Sequence, residues 1–197
     1  MIVSATRRAC SGCDAVSKKN MPALQELATH LKFIDESGAN LGLTRPFGRA
    51  APGERVCEAT PGVSGTHYTV IACLGLQEIS ATWVLEGAMT GDAFDYYVEQ
   101  ILCPTLRQGD RIFIDNLNVH KSARARALIE ARGAHVEFLP PYSPDFNPIE
   151  QCWSKIKTVL RRLKARTLDE LVEALCVAFE SISPKDAQQW FTHCGYL

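Results

Sequence analysis

The fold of this chain is decided by the stretch FLPPYSPDFNPIEQCWSKIK, residues Phe138 to Lys157. Prolines at positions 140, 141, 144 and 148 exclude a continuous strand or helix from Leu139 to Asn147. Asn147 is a favourable N-cap and Pro148 suits the first helical position, so the pattern predicts a stiff connection followed by a helix. An apolar stripe at helical spacing should pack this helix on a core. The stripe consists of Ile149, Cys152, Trp153, Ile156, Val159, Leu160 and Leu163.

Glu150, at the third position of this predicted helix, has two interpretations. A glutamate there commonly forms a capping box, in which its side chain accepts a hydrogen bond from the backbone N–H of the cap residue. The long, stiff lead-in would also hold one carboxylate firmly enough for chemistry. The choice depends on which other groups converge on Glu150.

The rest of the chain predicts an α/β fold. Strand-like runs cover 32–36, 67–74, 79–85, 111–114 and 135–139, and helical patterns cover 94–102 and 122–132. Residues 75–78 read as a hairpin turn. The order β-β-β-α-β-α-β-α indicates a mixed five-stranded sheet flanked by helices, with three antiparallel strands followed by parallel ones. One more helix should follow, opening at a Thr167–Glu170 capping box, and a last turn should open at Ser183-Pro184 and close at Gly195.

Length and composition describe an ordinary globular protein. The 197 residues are 46% hydrophobic and 22% charged, with a net charge of −1, so the chain does not resemble a strongly basic protein that coats DNA. It has no apolar run of about 18 residues, so we expect no membrane span. The eight cysteines are scattered, which disfavours a disulfide scaffold. Only Cys10 and Cys13 form a close pair, a weak signal for a metal or redox site.

Three blocks together resemble a known family. They are FIDESG at Phe33 to Gly38, IDNLNVHK at Ile114 to Lys121, and PPYSPDFNPIE followed by W-x-x-x-K in the opening stretch. These blocks are similar to those of DDE-superfamily transposases of bacterial insertion sequences, in the branch related to mariner elements. In that family the last two acids are separated by 34 residues, and here 34 residues lie between Asp115 and Glu150.

The resemblance implies an RNase H-like fold and a site for two Mg²⁺ or Mn²⁺ ions. Asp35 and Asp115 would be the primary ligands and catalytic acids, and Glu150 the third. Three clustered carboxylates repel one another unless a cation lies between them, and hard oxygen ligands suit these ions. From the residues alone, Asp35 could equally be a strand-end turn aspartate. Asn116, His120 and Lys121 match the family, although a strand-exit turn would look the same.

DNA binding is the second implication of the resemblance. Glu150, Ser154, Lys157, Arg161 and Lys164 share one helical face, and this basic stripe would guide the DNA backbone toward the metals. Passive solvation, or cover by the helix from Leu168, is the alternative. Residues 42–61 resemble the insertion that clamps DNA in mariner-like enzymes. If this is more than a surface loop, Arg45, Arg49 and Arg55 offer another path, and Lys121 is a further candidate contact.

Residues 1–30 read as a poorly ordered arm or short helix, and residues 31–197 as the catalytic domain with C-terminal helices. Family members normally carry helix-turn-helix units before that domain, so this chain reads as a catalytic half, a frame completed by frameshifting, or a remnant. The resemblance implies double-stranded DNA partners, both transposon ends and target, and a homodimer on DNA. It implies no membrane and no small-molecule cofactor, and a bacterial cytoplasmic, nucleoid-associated location.

Two other functions remain open at this point. Another RNase H-like nuclease would share the acids but lacks the P-P-Y-S-P-x-x-N-P-I-E block. A non-catalytic DNA-binding remnant of a transposase would explain the short N-terminal region, whereas intact acids at all three positions speak against decay.

Overall fold

Five strands form a single mixed sheet. They are Leu31–Asn40 (β1), His67–Gly75 (β2), Ile79–Glu86 (β3), Arg111–Ile114 (β4) and His135–Phe138 (β5). This computed structural model describes residues 27–57, 59, 66–140 and 143–197. The strand order is β3-β2-β1-β4-β5, with β1, β2 and β3 antiparallel and β4 and β5 parallel to β1. The predicted mixed five-stranded sheet is confirmed.

In the described ranges, five α-helices that follow β1 in the chain accompany the sheet. They are Gly91–Tyr97 (α1), Ala123–Glu130 (α2), Pro148–Leu163 (α3), Leu168–Glu180 (α4) and Pro184–His193 (α5). The first differs from its prediction. It follows the N-cap Thr90 rather than starting at residue 94, and beyond Tyr97 the chain continues through a π turn and a 3₁₀ turn that contains Pro104. Proline is tolerated there because the start of a short helical turn leaves its N–H position without a partner.

The sheet separates two apolar cores. Successive side chains of a strand point to opposite faces, so Phe33 enters one core and Ile34 the other. The first core contains the predicted stripe of α3, including Ile149, Trp153 and Ile156, together with residues of α4 and α5. The second contains Phe94, Tyr97 and residues of α2. The predicted site residues Asp35 and Asp115 therefore belong to a sheet that is packed on both faces.

β1 is longer than its sequence pattern predicted. Ser37 and Gly38 were expected to end it, yet it runs to Asn40 because β2 pairs with it along its whole length. Asp35 consequently lies within the strand rather than at its end. The parallel partner β4 stops earlier, at Ile114, opposite Ile34.

The loop after β1 is fastened to the junction between α3 and α4. The Arg166 guanidinium donates hydrogen bonds to the backbone oxygens of Leu41 at 2.8 Å and Leu43 at 3.3 Å. Within the loop, Val56 packs so closely on Gly48 that a Cβ there would come within 2.5 Å of it. The prediction of an N-terminal arm falls mainly on residues 1–26, which lie outside the described residues, as do Cys10 and Cys13. In the described part, no helix is long and apolar enough to cross a membrane.

Asp186 joins α5 to α3. It forms a capping box with Ser183, and its Oδ2 accepts a hydrogen bond from Lys155 Nζ at 2.8 Å. The hydrogen bond from Lys155, followed by those from Ser183, lowers the pKa of Asp186 to about 2 from its usual 3.8. Because the folded-state pKa is the lower one, this stabilisation is complete above the unfolded value and is lost as pH falls from about 4 toward 2.

We therefore predict that Asp186→Asn lowers the free energy of unfolding at pH 7 by about 1 kcal/mol, the usual effect of losing a helix cap. The difference from wild type should shrink below pH 4. Urea denaturation at pH 7, 5 and 3 measures both effects, and Glu173→Gln on the exposed side of α4 is the control. A difference that stays constant across this range would contradict the assigned role.

Candidate active site

The register of β1 and β4 brings the two aspartates to one edge of the sheet. Ile34 pairs with Ile114, so Asp35 and Asp115 are the next residues of two neighbouring parallel strands. At this level β4 has ended and its backbone turns away. The space beyond its last residue is therefore open to a ligand, as is usual at the carboxyl ends of parallel strands.

Glu150 reaches the same place from the first turn of α3. Pro148 occupies the start of the helix as predicted, but Asn147 makes no side-chain cap. Its backbone N–H donates to the Pro144 oxygen at 2.9 Å. The capping-box interpretation of Glu150 is therefore not what the structure shows, and the exposed Glu150 carboxylate is not used to close its own helix.

All three predicted acids line one cavity of about 370 Å³. Its other walls come from the turn after β4 and from the proline-rich connection. They include Asn116, Leu117, Leu139, Pro140, Ser143, Pro144 and Asn147. The Asn147 side-chain oxygen is buried and has no hydrogen-bond partner among the residues that the structure describes. A buried polar atom of this kind at a cavity wall indicates a missing water or ligand.

Burial and like charges act together on Asp35. Burial raises the pKa of Asp35 to about 7, and the charges of Glu150 and Asp115 contribute to the rise. The backbone N–H of Glu36 and the Trp153 indole oppose it, the indole Nε1–H donating to Asp35 Oδ2 at 3.2 Å. Three carboxylates around one cavity are thus electrostatically unfavourable unless a cation or a proton compensates them.

Asp115 is held differently. Burial would raise its pKa, but hydrogen bonds from His120 and from the Leu117 backbone N–H outweigh burial and lower it. His120 Nδ1 lies 2.5 Å from Asp115 Oδ1, and its Nε2 lies 2.8 Å from Glu36 Oε1. Burial alone would lower the pKa of His120, yet its two carboxylate partners raise it to about 9. His120 thus has a carboxylate oxygen within hydrogen-bond distance of each ring nitrogen.

The donor set fits a hard divalent cation. Carboxylate oxygens and an amide oxygen are the ligands that Mg²⁺ and Mn²⁺ prefer, and a bound cation would offset both the burial and the like charges that raise the pKa of Asp35. As the side chains stand, no group of three or more His, Cys, Asp or Glu residues in the described ranges is close enough to hold an ion.

The predicted basic residues are divided among several surfaces. Lys157 and Arg161 lie half-buried on α3, and Lys157 lines a small cavity with Leu175 of α4. Lys164 has a left-handed backbone with φ of 57° after the helix has ended, so the stripe stops at Arg161, which corrects its predicted extent. Lys121 lines a separate cavity of about 270 Å³ beside α2, not the one with the acids.

Arg45 meets Arg161 in one groove. This groove of about 380 Å³ lies between the loop after β1 and the second half of α3, and we call it the arginine groove. It is lined by Arg45, Pro46, Phe47, Thr158, Val159, Arg161 and Arg162. Phe47 is 89% exposed, an unusual position for a phenylalanine. Arg49 is exposed in the same loop but does not line the groove. The sequence had presented the stripe and the loop as separate paths.

Sequence reasoning missed three side chains at or near the site. Trp153 was placed in the apolar stripe, and its indole donor to Asp35 was overlooked. Glu36 was not singled out, although period-2 alternation after Asp35 puts it on the opposite sheet face. Phe47 was overlooked among the arginines of its loop. A charged or aromatic residue adjoining a predicted site residue is the signal that would have found all three.

Comparisons with known proteins agree with this geometry. The family model of the DDE superfamily endonucleases matches residues 30–172. The Tc1 transposase of Caenorhabditis elegans is 27% identical over 169 residues, which are 80% of this chain and 61% of that protein. This chain therefore spans about three fifths of the length of that curated relative.

Solved structures of Mos1 share the fold. A pre-cleavage Mos1 transpososome superposes with a TM-score of 0.70 at 13% identity, covering 88% of this chain and 56% of that chain. The catalytic domain of Mos1 mariner transposase gives 0.63 at 11%, covering 88% and 83%. The sheet is thus the RNase H-like one that the sequence predicted. The chain belongs to the DDE superfamily endonuclease family.

Proposed function

We propose that this chain is the catalytic part of a DNA transposase, which hydrolyses phosphodiester bonds at transposon ends and then joins those ends to target DNA. The observation that carries this proposal is that Asp35, Asp115 and Glu150, from β1, β4 and α3, line one cavity. Three observations support a role in metal-dependent chemistry. They are the match of the chain to the endonuclease family, the oxygen donors of these three side chains and the raised pKa of Asp35.

Asp35 and Asp115 would be the primary ligands of two Mg²⁺ or Mn²⁺ ions and Glu150 the third. Bound there, such ions would supply activation of a water or 3′-hydroxyl and stabilisation of the leaving oxygen of the phosphodiester. The protein's part is to hold the carboxylates. The Trp153 indole fixes one oxygen of Asp35, and His120 fixes one oxygen of Asp115. Among the Mos1 structures with this fold are paired-end complexes with Mg and with Mn, which supports the choice of ions.

The DNA path in this proposal runs from Glu150 along α3 to the arginine groove. Lys157 and Arg161 follow the acid on the helix, and Arg45 adds a further positive charge in the groove. Arginines neutralise backbone phosphates, and an exposed phenylalanine can stack on a base. Lys121 and Arg49 would contact DNA outside this path. The related Mos1 structures include a transpososome and a strand transfer complex, which supports DNA as the partner.

Several finer points of the proposal rest on the family resemblance alone. They are the homodimer on DNA, the bacterial insertion-sequence origin, the cytoplasmic, nucleoid-associated location and the division into an arm at 1–30 and a catalytic domain at 31–197. Contacts from the basic side chains of this chain to backbone phosphates should give weak binding with little sequence preference.

A nicking assay tests the function. Purified protein should convert supercoiled plasmid to the nicked form in Mg²⁺ or Mn²⁺ and not in EDTA, and Asp115→Asn should be inactive. Nicking that persists in the variant would indicate a contaminating nuclease. No nicking by wild-type protein that binds DNA would favour the non-catalytic remnant, and hydrolysis without joining of 3′ ends to target would favour another RNase H-like nuclease.

We predict that Mg²⁺ or Mn²⁺ stabilises the folded protein, because the ion relieves carboxylate repulsion that exists only in the folded state. At about 100 times the Kd the gain should be about 2.7 kcal/mol, measured as a rise in Tm. Asp115→Asn should abolish the rise, whereas Asp92→Asn, in the first turn of α1, should keep it. Equal responses of wild type and Asp115→Asn would show that these acids hold no metal.

We also predict that Arg161→Gln/Arg162→Gln weakens DNA binding and lowers the salt slope by up to about 0.9 per lost phosphate contact. Fluorescence anisotropy of a labelled duplex at several salt concentrations measures this slope. Arg107→Gln/Arg132→Gln is the matched control, because both residues lie near the start of β4, at the end of this strand that is away from Asp115. If the two double variants bind alike at every salt concentration, the path runs elsewhere. The Mg²⁺ response should be unchanged in both variants.

A further inference from the structure

Glu36 stands next to Asp35 in β1 but on the other face of the sheet. Alternation along the strand directs Asp35 toward Trp153 of α3 and Glu36 toward the side of α1. Glu36 does not line the cavity of the three acids. It lines a separate cavity of about 560 Å³ with Thr69, Met89 and Asn118. A direct role beside Asp35 is therefore not indicated by its position.

A buried histidine connects Glu36 to Asp115. The His120 side chain is 2% exposed and lies between the two carboxylates, 2.8 Å from Glu36 Oε1 and 2.5 Å from Asp115 Oδ1. Its ring packs on Phe94, with centroids 4.6 Å apart. Each ring nitrogen lies within hydrogen-bond distance of one carboxylate, so one ring orientation satisfies both contacts. Removing either carboxylate would leave a buried ring nitrogen without that partner, which is unfavourable.

We propose that Glu36 is a positioning residue for the metal-binding carboxylate of Asp115, acting through His120. The proposal rests on the proposed function, because Asp115 must be a metal ligand for its orientation to matter. Glu36 holds Nε2 and thereby aims Nδ1 at Asp115 Oδ1, so that the carboxylate faces the cavity in one orientation. Partners that orient a ligand in this way typically change metal affinity 10–100-fold when they are removed.

Two substitutions of Glu36 distinguish the effect of its side-chain length from the effect of its charge. Glu36→Asp keeps the charge but shortens the side chain, so it should lose the contact with Nε2 and weaken Mn²⁺ binding about tenfold or more. Glu36→Gln removes the charge but keeps an oxygen that accepts from Nε2–H, so its Mn²⁺ affinity should stay within about threefold of wild type. Mn²⁺ titration followed by electron paramagnetic resonance measures bound ion directly and needs no catalytic turnover.

A double-mutant cycle tests the route through His120. If Glu36 acts only through the ring, Glu36→Asp in a His120→Gln background should cause no further loss of Mn²⁺ affinity. Glu137→Asp is the matched control. Glu137 of β5 forms an ion pair with Arg111 of β4 and does not line the cavity of the three acids. Its Mn²⁺ affinity should equal that of wild type. Melting temperatures in EDTA report stability changes separately.

Three results would overturn the inference. Glu36→Asp binding Mn²⁺ as wild type does would show that the contact is dispensable. If Glu36→Gln lowers Mn²⁺ affinity as much as Glu36→Asp does, and if this loss adds fully to the loss caused by His120→Gln, then Glu36 is a direct ligand. Mn²⁺ binding by wild type that Asp115→Asn does not reduce would overturn the proposed metal site itself. Binding that depends on Asp115 but ignores Glu36 would overturn only the positioning role.

Discussion

The parallel pairing of β1 with β4 is the constraint on which the candidate site depends. Matching Ile34 with Ile114 leaves Asp35 and Asp115 as the next residues of adjacent strands. A shift of one residue would send one aspartate to the opposite face of the sheet, because side chains alternate along a strand. The apolar residues just before each acid, buried in both cores, hold this register. Packing of the sheet thus determines the separation of the two carboxylates.

That packing places the acids in an electrostatically unfavourable environment. Burial and the neighbouring acids raise the pKa of Asp35 to about 7, so ionising this group in the folded protein is unfavourable. A divalent cation would reverse the sign of this interaction, since the same charges that repel one another would then share an ion. Two features of the cavity agree with a site that is less stable when empty. The acids line it without touching one another, and the Asn147 side-chain oxygen has no hydrogen-bond partner among the described residues.

Local patterns predicted most of the fold. The β2–β3 hairpin, the start of α3 at Pro148 and the capping box of α4 depend on residues near one another in sequence. The end of β1 was wrong because pairing with β2, a distant segment, carries the strand past Ser37 and Gly38. The bridge from Glu36 through His120 joins residues 84 positions apart, and no periodicity signals such a contact. The contacts of Arg166 with the loop after β1 and of Lys155 with Asp186 are likewise long-range and have no local signal.

The two aspartates are supported from opposite faces of the sheet. Asp35 is tied by Trp153 to the core beneath α3, whereas Asp115 is tied by His120 to Phe94 in the core beneath α1 and α2. Each tie comes from a buried ring that donates one hydrogen bond to a carboxylate oxygen. Because packed cores resist displacement, neither acid can shift without moving its own layer. The separation of the two carboxylates therefore depends on how the layers pack across the sheet, and a substitution in either core can alter the site without touching it.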